Sequence, residues 1–304
     1  MYLEHFALSE MPFTITPNTG FFFEYGDYRA AHNMLLLALR SGEGFLKVVA
    51  EVGMGKTLLC RALLNDLGDD YVTAYIPNPQ LTAPGLRMAL ADELGLEFSR
   101  NIGQHRLLKL INEYLVEQHA AGKRVVLVID EAQALPDEGL EALRLLTNLE
   151  TESSKLLQVV LFGQPELDER ISHPSLRQLK QRITFSHRLK PLDYPSLVAY
   201  LRYRLHVAGY RGTELFTPGA MKRLYRSSRG IPRVINILSH KALMVAFGKG
   251  DEKVRSGYMK AAIQDSTDVL SSTFSRSPIL AYWLASLLTF SAVVIGVVIW
   301  SRLS

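Results

Sequence analysis

The chain has 304 residues, of which 48% are hydrophobic, and 34 basic against 30 acidic side chains give it a net charge of +4. This length and composition predict one large domain or two modest ones and argue against a disordered chain. The net charge is too small to indicate a nucleic-acid binder by itself. The one cysteine, Cys60, excludes a disulfide framework and indicates a reducing compartment.

From Phe45 onward, short apolar stretches that resemble strands alternate with stretches that resemble helices. The strand-like stretches are FLKVVA, YVTAYI, VVLVID and LLQVVLF, and a helical stretch follows each of the first three. Apolar, β-branched runs interleaved with helices predict a parallel sheet that is covered on both faces. We therefore predict an α/β domain over residues 1–189.

Beyond residue 189 the sequence predicts helices only, and these form a small helical domain over residues 190–265. Pro195, Pro218 and Pro232 stand near the starts of these helices, where a missing N–H group costs little. The stretch that follows, residues 266–278, is rich in serine and threonine and is predicted to be a linker.

Residues 279–300 contain no charged side chain. A helix of this length covers about 30 Å, which is the thickness of the hydrocarbon core of a bilayer. Tyr282, Trp283 and Trp300 lie near its two ends, where aromatic rings favour the headgroup region. The stretch is therefore predicted to be a transmembrane helix.

The stretch EVGMGKTLLC follows the first predicted strand and resembles a phosphate-binding loop of the pattern G-x-x-x-x-G-K-[ST], with Ala50 in place of the first glycine. The chain leaves the predicted strand at Ala50, and the negative φ angle of a strand end tolerates a methyl group. Gly53 and Gly55 stand where the backbone must approach the phosphates closely. Lys56 is expected to reach the β and γ phosphates, and Thr57 to bind Mg²⁺. The predicted nucleotide-contacting residues are Val52, Gly53, Met54, Gly55, Lys56, Thr57, Leu58 and Asp130.

The stretch VVLVIDEAQAL delivers two acidic residues to the carboxyl end of a buried strand. Asp130 is predicted to hold Mg²⁺ together with Thr57, and Glu131 to orient and deprotonate the attacking water. Gln164, just after the following strand, is predicted to sense the γ phosphate, with Asn148 as the weaker candidate. Together these residues predict hydrolysis of ATP with Mg²⁺.

These motifs and the later GIPR stretch resemble those of AAA+ ATPases. The stretches MYLEHFALSEMPFTITPNTGFFF, EVGMGKTLLCRALL, LRLLTNLET and LFGQPEL further resemble the general secretory pathway protein A family, from Met1 to roughly Asp268. The resemblance implies an AAA+ P-loop domain with a central parallel sheet and a small α-helical lid. To this architecture the present chain adds the one predicted C-terminal transmembrane helix.

The resemblance also implies roles for several residues. Arg233 matches the lid arginine that reaches the γ phosphate, and Arg182 matches the arginine finger that a neighbouring subunit inserts, with Arg177 as a competitor for that role. An arginine finger implies a homo-oligomer. The aromatic residues of 21–25 match a segment that closes over adenine, although most of them are expected to be core.

The function that we expect is that of a membrane-anchored ATPase supporting assembly of a type IV (MSHA-like) pilus or a type II secretion apparatus. Its partners would be the assembly proteins at the bacterial inner membrane, with the ATPase domain in the cytoplasm, where ATP and Mg²⁺ are found. The alternative is a DNA-associated ATPase of the transposition-regulator kind, for which RLYRSSR in the lid offers arginines. A terminal membrane helix argues against this alternative, so we do not expect nucleic acid as a partner.

Overall fold

The computed structural model describes residues 2–149 and 155–267, and a five-stranded parallel sheet lies at its centre. The strands are β1 (Phe45–Val49), β2 (Tyr71–Ile76), β3 (Arg124–Ile129), β4 (Leu157–Gly163) and β5 (Phe185–Arg188). Their spatial order is β2-β3-β4-β1-β5, and every neighbouring pair is parallel. The predicted α/β fold with a central parallel sheet is confirmed.

Helices cover both faces of this sheet. In chain order they are α2 (Asp27–Arg40), α3 (Lys56–Asp66), α4 (Ala83–Glu93), α5 (Gln104–Ala120), α6 (Asp137–Leu146), α7 (Pro165–Ile171) and α8 (Arg177–Arg182). The short helix α1 (Tyr2–His5) precedes them and packs against the lid. Successive strand residues point to opposite faces, so Val126 packs with α2 and α3 while Leu127 packs with α4, α5 and α6. Cys60 is buried on the α3 side, and burial raises the pKa of its thiol, as expected for a structural cysteine.

A group of helices follows the sheet and forms the lid: α9 (Tyr194–Val207), α10 (Pro218–Ser228), α11 (Pro232–Gly248) and α12 (Ser256–Gln264). Pro195, Pro218 and Pro232 lie in the first turns of α9, α10 and α11, as predicted. Apolar residues of the lid join the core on the α2 and α3 face of the sheet. This packing brings the start of α11 to the phosphate loop. The domain boundaries at residues 189 and 265 stay predictions.

The N-terminal segment crosses onto the lid although it precedes the sheet in the chain. The Tyr2 hydroxyl lies 2.9 Å from Nδ1 of His240, and the Ser9 hydroxyl donates to the carbonyl of Ala208 at 2.9 Å. Further along, the guanidinium of Arg204 donates to the carbonyl of Pro12 at 2.5 Å. These contacts fix the segment beside the place where the lid meets the phosphate loop.

The predicted transmembrane helix over 279–300 lies outside the described residues, as does the predicted linker beyond its first two residues. Within the described ranges, 2–149 and 155–267, no helix is both long and apolar enough to cross a membrane. The linker's first residue, Ser266, is buried, and its hydroxyl donates to the carbonyl of Ala262 at 2.8 Å.

Candidate nucleotide site

The phosphate loop connects β1 to α3, which begins at Lys56. Gly53 and Gly55 have φ angles of 80° and 83°, a conformation that side chains disfavour. Among the described residues, a few other than glycine have a positive φ angle, and Ala50 is not one of them. Its N–H donates to the carbonyl of Gly163 at 3.1 Å. Ala50 thus continues the strand pairing of β1, so its methyl group does not distort the loop.

Lys56 lies at the start of α3 with its side chain buried and folded back over the loop. Its ammonium donates to the carbonyls of Ala50 at 2.9 Å and Glu51 at 3.3 Å. Burial lowers the pKa of Lys56, and the nearby carboxylates of Glu131 and Asp130 partly oppose that shift. A polyphosphate beside the ammonium would stabilise its charged form. Its negative charge would also interact favourably with the positive N-terminal end of α3.

Thr57 and Asp130 form the pair of oxygen ligands predicted for Mg²⁺. The Thr57 hydroxyl donates to Oδ2 of Asp130 at 2.6 Å, and Asp130 is buried just beyond the end of β3. Burial raises the pKa of Asp130, while hydrogen bonds from Thr57 and from the N–H of Glu131 act against the increase. A hydroxyl and a carboxylate in contact next to the phosphate loop fit Mg²⁺, which takes its remaining ligands from phosphates and water.

Glu131 follows Asp130 and lies in the left-handed conformation, with φ 51° and ψ 39°. Its Oε2 accepts hydrogen bonds from Nε2 of Gln133 at 2.5 Å and from Nε2 of Gln164 at 3.1 Å. Burial acts to raise the pKa of Glu131, but these two hydrogen bonds and the charge of Lys56 outweigh it, so the pKa is lowered. Glu131 is therefore a carboxylate at neutral pH, as a general base requires.

Arg233 joins the lid to the phosphate loop. Its backbone N–H donates to the carbonyl of Gly53 at 3.1 Å, and a Cβ atom added to Gly53 would lie only 2.7 Å from the Cβ of Arg233. The close approach of α11 to the loop therefore requires glycine at position 53. The side chain of Arg233 is exposed to the cavity that the loop surrounds.

That cavity has a volume of about 290 Å³. It brings together most of the predicted site residues: Val52, Gly53, Gly55, Lys56, Thr57, Leu58, Glu131, Gln164 and Arg233. Met54 is buried beneath the loop, and its carbonyl accepts a hydrogen bond from the Tyr28 hydroxyl at 2.6 Å. Asp130 stands behind Thr57 rather than in the cavity wall.

Residues that sequence reasoning missed complete the cavity wall. They come from the N-terminal segment and from the lid: Thr14, Ile15, Thr16, Pro17, Asn18, Tyr200, Arg204, Pro232 and Asn236. None of the aromatic residues of 21–25 lines this cavity; Phe21 is buried beneath the guanidinium of Arg204, whose Cζ lies 4.7 Å from the ring centroid. Most of these aromatic residues belong to the core, as expected: Phe21 is buried in it, and Phe22 and Phe23 are partly buried and pack against it. Tyr25 is 47% exposed.

The remaining predicted residues lie away from the cavity. Arg182, at the end of α8, donates to the carbonyl of Thr147 at 3.3 Å, and its competitor Arg177 is exposed at the start of the same helix. Asn148 is outside the cavity wall and follows α6. An arginine finger acts on the site of a neighbouring subunit, so the role of Arg182 stays a prediction.

Comparison with known proteins agrees with this geometry. A family model described as an AAA domain matches residues 39–171. General secretion pathway protein A of Aeromonas hydrophila is 44% identical over 269 residues, which cover 88% of this chain and 49% of that protein. The chain thus spans about half the length of this curated relative.

Two solved structures share the fold. The Walker-type ATPase PABY2304 of Pyrococcus abyssi matches with a TM-score of 0.60 and 18% identity over 93% of this chain and 81% of that one. The ORC1 protein of Aeropyrum pernix, in complex with DNA, matches with a TM-score of 0.60 and 17% identity over 84% and 69%. At such identities the likeness shows the fold alone.

Fold, family model and site geometry agree that the chain belongs to the AAA+ class of P-loop ATPases. Within that class, its sequence fits the family of general secretion pathway protein A.

A Gly53→Ala variant tests the contact between the loop and the lid. We expect the affinity for ATP to fall about tenfold or more, because the added methyl group displaces Arg233 from the loop. Gly42→Ala is the matched control: its φ is 81° and no atom lies within 4 Å of the added Cβ, so it carries only the backbone cost of about 1 kcal/mol. Equal ATP affinities for the two variants, measured by titration calorimetry, would contradict this account.

Proposed function

We propose that the chain hydrolyses ATP with Mg²⁺ and that this cycle supports assembly of a type IV (MSHA-like) pilus or a type II secretion apparatus. The observation that carries the proposal of hydrolysis is the grouping of Lys56, Glu131 and Gln164 around one cavity, beside the contact of Thr57 with Asp130. Binding alone would not require a carboxylate and an amide opposite the phosphate loop.

Each side chain has a defined task in this reaction. Lys56 donates to the phosphate oxygens, and Glu131 accepts a proton from the attacking water while Gln164 holds that water in place. Thr57 and Asp130 would hold Mg²⁺, which supplies positive charge to the β and γ phosphates. Arg233 adds a second cation from the lid, so hydrolysis would change the contact between lid and loop.

The cellular role rests on similarity to general secretion pathway protein A and on the apolar stretch over 279–300. We propose that this stretch anchors the chain in the bacterial inner membrane and that the described domain lies in the cytoplasm, where ATP and Mg²⁺ are found. The partners would be a second copy of the chain, through Arg182, and assembly proteins of the pilus or secretion apparatus.

An alternative function in DNA association draws support from α10, which exposes Lys222, Arg223 and Arg226 on the lid surface. Three basic side chains on one helix are enough for weak contacts with a phosphate backbone. The same residues serve equally well as a solvated helix face, so we rank this function second.

The experiment that separates the two functions is crosslinking and co-purification of the full chain from intact membranes. We expect assembly proteins of the pilus or secretion apparatus to co-purify, and more of them with an ATP-trapping Glu131→Gln chain than with the parent. The detergent-solubilised chain is also titrated with duplex DNA at several salt concentrations. Tight, salt-dependent DNA binding without enrichment of assembly proteins would reverse the ranking.

A further inference from the structure

Gln133 connects the two residues to which the hydrolytic step is assigned. Its Nε2 donates to Oε2 of Glu131 at 2.5 Å, and its Oε1 accepts from the backbone N–H of Gln164 at 3.0 Å. Glu131 follows β3 and Gln164 follows β4, so one amide group bridges the carboxyl ends of two neighbouring strands. Gln133 does not line the cavity itself and acts only through these partners.

The turn that carries Gln133 is itself fixed in place. The guanidinium of Arg170, in α7, donates to the carbonyls of Gln133 at 2.8 Å and Leu135 at 2.5 Å, and it also pairs with Asp137. Helix α7 begins directly after Gln164, so the anchor of the turn and the sensor belong to one short element. The left-handed conformation of Glu131 reverses the chain and turns Gln133 back toward it.

We propose that Gln133 is a positioning residue that sets the orientation of the general base Glu131 relative to the sensor Gln164. The inference rests on the proposed hydrolysis and deepens it. Because Oε2 of Glu131 already accepts two hydrogen bonds, Oε1 is the oxygen that takes the proton from water. Without Gln133, the carboxylate rotates more freely and the sensor loses its tie to the turn.

The test is steady-state hydrolysis of Mg-ATP by the full chain in detergent, with kcat and KM measured separately. For Gln133→Ala we expect kcat to fall about tenfold with KM within about twofold. Gln133→Glu keeps an acceptor for the N–H of Gln164 but sets a second carboxylate against Glu131, so its kcat is expected to fall at least as far, again with little change in KM. Gln264→Ala, at an exposed glutamine of α12, is the control and should match the parent.

The outcomes are separable. A parent chain that does not hydrolyse ATP would overturn the proposed function, and this inference with it. A hydrolysing parent whose two Gln133 variants keep its kcat would overturn the inference alone, as would variants with a higher kcat than the parent. Loss of folding in Gln133→Ala leaves the decision to the kcat and KM of Gln133→Glu, which preserves the size of the side chain.

Discussion

Replacing Lys56 with alanine is expected to lower the affinity for ATP about 100-fold or more, which corresponds to about 2.7 kcal/mol. The ammonium is the one cation of the loop itself, and charge-assisted hydrogen bonds to phosphate contribute about 1.5–3 kcal/mol each. Within the described part of the chain, its hydrogen-bond acceptors are the neutral carbonyls of Ala50 and Glu51. Its loss should therefore cost the nucleotide complex far more than the nucleotide-free fold.

Thermal unfolding with and without Mg-ATP checks this expectation. A ligand that binds only the folded state raises its stability by about 2.7 kcal/mol at a concentration of 100 Kd, so the parent should gain a clear increase in Tm. Lys56→Ala should unfold near the parent's Tm without nucleotide and gain almost nothing on addition of Mg-ATP. Lys222→Ala, at an exposed lysine of α10, should behave as the parent does. An unchanged nucleotide-induced increase in Lys56→Ala would contradict the assignment.

The sheet and the phosphate loop could be predicted because their signals are local. Strand β3 is apolar after its first residue and β4 is apolar apart from Gln158, and the loop follows β1 with its glycines at the positions that need positive φ. The outcome for Ala50 was predictable for the same reason, since a strand end imposes negative φ. Strand β5 gives no such signal, because three of its four residues are exposed.

A buried charge within β1 shows where a local pattern hides a tertiary contact. The run FLKVVA has the pattern of an apolar strand, yet Lys47 at its centre is buried and pairs with Asp168 of α7. The two residues are 121 positions apart, so periodicity around either one does not show the pair. The strand was predictable, but the ion pair that satisfies its lysine was not.

The wall of the cavity opposite the phosphate loop depends on contacts between residues that are even further apart in the sequence, such as Arg204 with Pro12 and Asn236 with Thr14. Arg204 is only 4% exposed, and its guanidinium donates to Pro12 and to the Tyr200 hydroxyl. That hydroxyl in turn donates to Asn236 at 2.8 Å, and Asn236 donates to the carbonyl of Thr14 at 3.3 Å. This network holds the N-terminal segment against the lid. Its members look like ordinary helix and loop residues in the sequence, so the cavity wall could not be predicted.

The role of Gln133 is one that the sequence pattern does not show. It lies in DEAQ, two positions after the predicted base, and in a continuing helix residues at that spacing would not face each other. In the structure the left-handed conformation of Glu131 turns the chain so that the two side chains meet. A non-glycine residue in that region of φ and ψ costs about 1–3 kcal/mol and persists where surrounding contacts hold it, as Arg170 does here.

Replacing Glu131 with glutamine is the change expected to affect turnover most selectively. Loss of a general base lowers kcat by about 10²–10⁴. Glutamine has nearly the same shape and keeps an oxygen that can accept from Gln133 or Gln164, so the site should keep its form. The amide does not take a proton from water at neutral pH. Binding of ATP, which depends on Lys56 and the loop, should remain close to that of the parent.

Chemical quenching of the protein after incubation with labelled Mg-ATP measures both effects. We expect bound nucleotide to be recovered almost entirely as ATP from Glu131→Gln and largely as ADP from the parent. Glu138→Gln, a matched change at an exposed position in the first turn of α6, should turn over at the parent's rate. If Glu131→Gln hydrolyses ATP as fast as the parent, Glu131 is not the base. In that case the carboxylate serves the arrangement of Gln133 and Gln164, and another group must accept the proton of the attacking water.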